Sequence, residues 1–242
     1  MSALTLFLTR RVDGVILYEH AHISPVKVDL QTKVATRQRI LAVAARLFAR
    51  VGWERATTRS IATSAGIAAG TLFNYFPSKE AVAVTLISDA LVKAKEEFEE
   101  RRRGEESLEE DLFSYIWTGL RYLQPSKTFL GRALETLLSP LARSSPDHPG
   151  ELIRTEHLET VERLIASHRR VRQPLSALTM QLYWTLYLGV LAYWATDVSP
   201  KQEDTMALLD QSLMLFVASL EAGASPFGDA CSEREETNES PG

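Results

Sequence analysis

The twenty residues from Thr57 to Phe76 constrain this chain more than any other stretch. They read as two short helices meeting at a glycine. Thr57 suits an N-cap, because its hydroxyl accepts from backbone N–H groups that a first helical turn leaves unpaired. Ile61, Ala62 and Ala65 then fall on one face at helical spacing. Gly66 supplies the left-handed backbone that stops the first helix at low steric cost. Ile67, Leu72 and Phe76 carry the apolar face past the bend, and small residues at Ala62, Ala65, Ala68 and Ala69 allow a close crossing. A helix-turn-helix of this kind fits its second helix into the DNA major groove.

The flanks extend the pattern. Upstream, Ile40, Leu41, Ala44, Ala45, Leu47 and Phe48 recur at three- and four-residue intervals and predict an amphipathic helix, ended by Gly52. Trp53 is placed to pack under the next helix. Downstream, Pro77-Ser78-Lys79-Glu80 is a stop followed by a restart, with Ser78 as cap and Glu80 in the new first turn. In Gly52-Trp53, Thr57-Thr58-Arg59, Ile61-Ala62, Ala65-Gly66-Ile67, Gly70-Thr71-Leu72-Phe73 and Phe76-Pro77-Ser78-Lys79-Glu80, without gaps, the run from Thr36 to about Val82 resembles the DNA-binding domain of TetR-type one-component regulators.

That resemblance implies roles residue by residue. Thr58 and Arg59 start the second helix, where family members touch phosphate or a base edge, and an Arg can bond guanine in bidentate fashion. Ala69, Gly70 and Thr71 lead the recognition helix. Phe73 stands where the family usually has tyrosine, so a phenol-to-phosphate contact is lost. Asn74 and Tyr75 are candidates for phosphate, or for Asn74 an adenine. Lys79 matches the lysine that grips the backbone at the start of the fourth helix. Leu72, Phe76 and Phe73 read as core.

Charge agrees with this placement. Residues 36–80 carry seven basic side chains against two acidic ones, on a chain whose formal net charge is −4. A locally basic module on an acidic protein is the electrostatic footprint of a DNA reader. With 242 residues and 45% hydrophobic content, a small domain plus a larger one is the natural division. The fold class expected is all-α: a helix-turn-helix domain at 34–94 (motif 57–76), then a larger helical ligand-binding and dimerisation domain at 95–223. A single cysteine, Cys231, cannot form an internal disulfide and fits a reducing cytoplasm.

The larger domain reads as helices separated by breakers. Helix four is expected from Ser78 to about Arg103, with Gly104 ending it; others span Leu108–Leu123, Thr128–Leu141, Glu151–Arg172, Pro174–Thr196 and Pro200–Ala222. The triplet Arg101-Arg102-Arg103 is read as a solvated helix end, where cations suit the dipole. The segment from Gln173 to Thr196 has no charge and is long enough for a membrane span. Gln181, Thr179 and Thr185 interrupt it, and its neighbours are amphipathic, so no membrane contact is expected. In proteins with this DNA-binding module, the last two helices usually pack against their copies, and a helix apolar all round is then buried on every side. Tyr187, Leu191, Trp194, Leu209, Leu213, Phe216 and Leu220 are the candidate homodimer residues.

Candidate walls of an effector pocket are Trp117, Tyr122, Phe129, Tyr183 and Trp184, suited to an apolar or aromatic small molecule. His157 and His168 are too far apart for joint metal binding, and His148 falls in a loop. No metal site, no cofactor and no catalytic constellation is read. Residues 1–33 are expected as a poorly ordered extension, although Val15-Ile16-Leu17-Tyr18 could form a strand, and 224–242 as a disordered tail. A DNA-tracking arm using Arg10, Arg11, Lys27 and Lys33 is a second reading of that extension. The function expected is a ligand-responsive repressor, a homodimer on a near-palindromic double-stranded DNA operator. The alternatives are an activator of the same fold and, behind it, a membrane-associated helical protein or an enzyme.

Overall fold

A computed structural model describes residues 8–12, 15–19, 30–133, 149–168 and 175–221. Its described helices are α1 (Leu30–Val51), α2 (Thr58–Ser64), α3 (Ala69–Phe73), α4 (Lys79–Arg101), α5 (Leu108–Leu123), α6 (Lys127–Ala133), α7 (Pro149–Ser167), α8 (Ala177–Thr196) and α9 (Glu203–Glu221). The fold is all-α apart from one antiparallel hairpin, β1 (Leu8–Val12) with β2 (Val15–Glu19), in which Val12 pairs with Val15. The hairpin and the first turn of α1 replace part of the irregular extension expected over residues 1–33. Asp13-Gly14, between the strands, is the dipeptide that two-residue hairpin loops favour, and it is the sequence signal for the hairpin.

The chain divides into two compact units, 1–89 with 125–139, and 90–124 with 140–242. The first unit has a core of Ile40, Ala44, Phe48, Ile61, Leu72 and Phe76, all fully buried. Each of these side chains other than Ala44 contributes about 1.5–3 kcal/mol over its exposed state. The chain returns to this unit through α6. Phe129 lies with its centroid 4.9 Å from Phe48 and 6.3 Å from Trp53.

In the second unit, α5 packs on α7 and α9, and α8 on α9. Ser107 caps α5 in a reciprocal box with Glu110, and Ser176 caps α8. The end of α4 is tied by Arg102, whose Nε and Nη2 bond both oxygens of buried Asp111, while Nη2 also reaches Ser167 at 2.9 Å. That carboxylate's hydrogen bonds hold the guanidinium's pKa above its ordinary value. The corner between α8 and α9 holds Lys201 and Gln202 at φ 53° and 60°, in the left-handed region. Gln202 accepts from Trp194 Nε1 and donates to Gln124 Oε1, each at 3.0 Å. Asp197 accepts from Ser199 N and from Thr205, and the Thr205 hydroxyl above all pushes its carboxyl well below the usual range.

Helix ends agree with the sequence reading to a few residues, except that α7 ends at Ser167 and not near Arg172, α8 starts at Ala177, and a short 3₁₀ turn over Pro200–Gln202 precedes α9. The expected helix beyond Ala133, the loop at 144–148, the stretch 169–174 and the tail with Cys231 lie outside the described residues. Among the described residues, no helix is long and apolar enough to cross a membrane.

Candidate nucleic-acid interface

Local chemistry builds the helix-turn-helix. Thr57 is extended, and its Oγ1 accepts from Ser60 N at 3.1 Å while Ser60 Oγ accepts from Thr57 N at 2.9 Å. This is a capping box with serine in the place that Glu or Gln more often fills. Ala65 is the C-cap of α2, and Gly66 takes φ 67°, which lets Ile67 N bond back to Ala62 O at 3.1 Å. α3 follows after Ala68, which gives no side-chain cap.

The expected contact residues then separate. Ala69, Gly70, Asn74 and Arg59 are exposed, while Thr58, Thr71 and Tyr75 are half-buried. Leu72 and Phe76 are core, but Phe73 is 44% exposed and is therefore corrected from core to surface. On a five-residue helix, adjacent positions turn to different sides, and Leu72 takes the inward one. Lys79 does not stand free: its Nζ donates to Trp53 O at 3.0 Å and lies 4.2 Å from the indole centroid. Arg59 borders a groove with Arg50 and Arg55.

Residues 40–86 match the profile described as "Bacterial regulatory proteins, tetR family". This is a TetR-family helix-turn-helix. Solved structures extend the TetR-family likeness across the larger helical domain, as fold alone. FadR from Thermus thermophilus, a TetR-family repressor solved with lauroyl-CoA, is 24% identical with TM-score 0.60, covering 75% of this chain and 93% of its own. A TetR regulator from Rhodococcus sp. RHA1 is 18% identical with TM-score 0.61, covering 78% and 99%. The fatty acid degradation regulator FadR from Bacillus halodurans is 20% identical with TM-score 0.54, covering 75% and 94%. No curated protein matches the sequence.

In the second unit of this TetR-type fold, two of the five expected pocket residues come together. Tyr183 and Trp184 are buried around His157, whose Nε2 lies 2.9 Å from Tyr183 Oη; Tyr115 and Tyr187 complete the cluster. Tyr187 stacks on the imidazole at 4.1 Å. Burial drives the His157 pKa down to about 3 and raises those of Tyr115, Tyr183 and Tyr187. Sequence spacing marks His157 only as a poor metal ligand. Its partners come from α5 and α8, 42 and 26 residues away, so no local pattern reveals them.

The other pocket candidates go elsewhere. Tyr122 is half-buried and donates to Glu97 Oε2 at 2.7 Å, which with Arg121 lowers the Glu97 pKa. Trp117 stacks on Phe113 along α5 at 6.3 Å, both half-exposed. Phe129 belongs to the first unit's core. The cavity beside Tyr183 and Tyr187, also lined by Ile116, Val190, Leu209 and Phe216, holds only about 10 Å³.

The expected dimer residues lie inward within the single chain. Tyr187, Leu191, Trp194, Leu209, Leu213, Phe216 and Leu220 are all buried in the chain's own core. The outward faces of α8 and α9 carry Leu178, Leu182, Tyr193, Met214 and Leu215, with Met214 and Leu215 at 57% and 68% exposure. Among the described residues, no group of three His, Cys, Asp or Glu is placed to hold a metal.

Proposed function

We propose that the protein is a ligand-responsive transcriptional repressor that binds a near-palindromic DNA operator as a homodimer. The capped α2, the left-handed turn at Gly66 and the exposed leading end of α3 carry this reading. Ala69, Gly70 and Thr71 are small enough to bring the backbone of α3 close to base edges. Asn74 offers a donor and acceptor to adenine, and exposed Phe73 an apolar contact for a thymine methyl. Thr58, Tyr75 and Lys79 act on the phosphates, Lys79 by exchanging its Trp53 contacts for DNA.

The charge-free outer face of α8, with Met214 and Leu215 of α9, is the surface for a second copy. Pairing there presents two α3 helices to successive major grooves about 34–36 Å apart. For the effector, apolar molecules come first, and the acyl-CoA held by the Thermus relative makes a long acyl chain the first to try. Drug-sized pockets occupy about 300–1,000 Å³, so a cavity of about 10 Å³ requires α5, α8 and α9 to part around the ligand. Effector and operator then oppose each other by linkage, each weakening the other by the same factor.

Selection of genomic fragments on the purified protein tests this directly. A near-palindromic sequence should enrich, and lauroyl-CoA should release it. Retention of no fragment above random duplex at moderate salt overturns the reading.

A further inference from the structure

A groove of about 500 Å³ runs between the C-terminal turn of α1 and α2. Arg50, Arg55 and Arg59 line it, together with Thr63 and Ser64, over a floor that includes Leu47. Among the described residues, no carboxylate lines it. Three like charges lining one groove repel, and an anion between them removes that cost. Arg55 is already oriented to receive one. Its Nε donates to Val51 O at 2.9 Å, which fixes the guanidinium plane and leaves its terminal nitrogens for a ligand. A planar fork held this way matches two phosphate oxygens. The hydroxyls of Thr57 and Ser60 are spent on the capping box. Those of Thr63 and Ser64 are exposed and make no hydrogen bond among the described residues.

We propose that Arg50 and Arg55, with Arg59, form a clamp for a phosphate of the DNA backbone outside the bases read by α3. The inference rests on the DNA-binding reading above. Of the two roles open to Arg59, phosphate or base edge, it selects the phosphate. The first helix of a helix-turn-helix crosses the backbone when the second enters the major groove, and α2 is that helix. A phosphodiester segment therefore suits this groove better than a free anion does.

The test is the salt dependence of binding by the wild type, Arg50→Ala, Arg55→Ala and Arg59→Ala, on the best selected fragment and on random duplex. Each variant should flatten the slope of log K against log salt by about one unit. Each should weaken both DNAs by the same factor and leave base preference unchanged. Arg50→Lys and Arg55→Lys, which keep the charge, should keep the slope, and unchanged melting profiles show that the variants fold. Slopes unchanged in Arg50→Ala and Arg55→Ala, with specific binding intact, overturn the clamp but not the DNA-binding reading. A wild type that prefers no fragment overturns both. If inorganic pyrophosphate raises the melting temperature of the wild type but not of a variant carrying both Arg50→Ala and Arg55→Ala, and the slopes stay equal, the groove holds a free phosphate ligand and the backbone assignment fails.

Discussion

Lys79 donates from Nζ to the carbonyl oxygen of Trp53 at 3.0 Å and sits 4.2 Å from the centroid of that residue's indole. The tryptophan in turn packs on Phe48 at 5.1 Å and Phe129 at 6.3 Å. One half-buried cation thus joins the start of α4 to the loop before α2, both parts of the first unit. Lys79→Ala should therefore destabilise the protein by about 1–2 kcal/mol, from one hydrogen bond and one cation–π contact. The measurement is the urea midpoint at constant slope. Lost DNA affinity with an unmoved midpoint would mean that the Trp53 contact contributes nothing.

Gly66 has φ 67° and open space where a Cβ would stand. Gly66→Ala should cost about 1–2 kcal/mol through backbone strain alone, and Gly66→Asn less, because asparagine tolerates the left-handed region. Equal stability of the two variants by chemical denaturation would place the cost elsewhere.

His157 is neutral in the folded state, with its pKa driven from 6.5 down to about 3 by burial. Between those values the unfolded chain binds one proton more, so this group's contribution is complete above about pH 6.5 and falls away as acid is added. The slope approaches about 1.4 kcal/mol per pH unit inside that window. Relative to His157→Gln, the wild type should lose stability faster from pH 6.5 to 4. Parallel stability–pH curves for the two proteins would contradict a buried neutral imidazole.

Asp111 is 2% exposed and holds Arg102 through both its oxygens. Asp111→Asn leaves the guanidinium without its counter-charge. Because Arg102 is partly exposed and can rehydrate, a loss of about 2–3 kcal/mol is expected, below the cost of breaking a fully buried pair. Guanidinium denaturation reads it. A loss under about 0.5 kcal/mol, the size of an ordinary surface change, would remove the pair from any part in fixing the end of α4.

Leu215 and Leu213 are two residues apart on α9, one exposed and one buried. Leu215→Glu should yield a folded monomer in sedimentation, since it places charge on the proposed pairing face. Leu213→Glu should fail to fold, since it buries an unpaired carboxylate. A Leu215→Glu protein that still sediments as a dimer puts the interface on another surface.

The sequence by itself determined whatever is local along the chain. The Thr57 cap, the stop at Gly66, the inward Ile61, Leu72 and Phe76, and the helix over Leu108–Leu123 all depend on neighbours within a few positions. The restart after Pro77 belongs with them. Only the tertiary structure decided which way α8 faces. A helix without charges gives no polar side to mark the solvent, so periodicity allows Tyr187 and Trp194 to point toward a second copy, whereas α8 turns them into its own core. The same holds for Phe129, which follows its chain back to the first unit, and for Lys79 on Trp53, 26 residues apart. It holds again for His157, whose partners lie on two other helices. Packing chooses among faces that hydrophobic periodicity leaves equivalent.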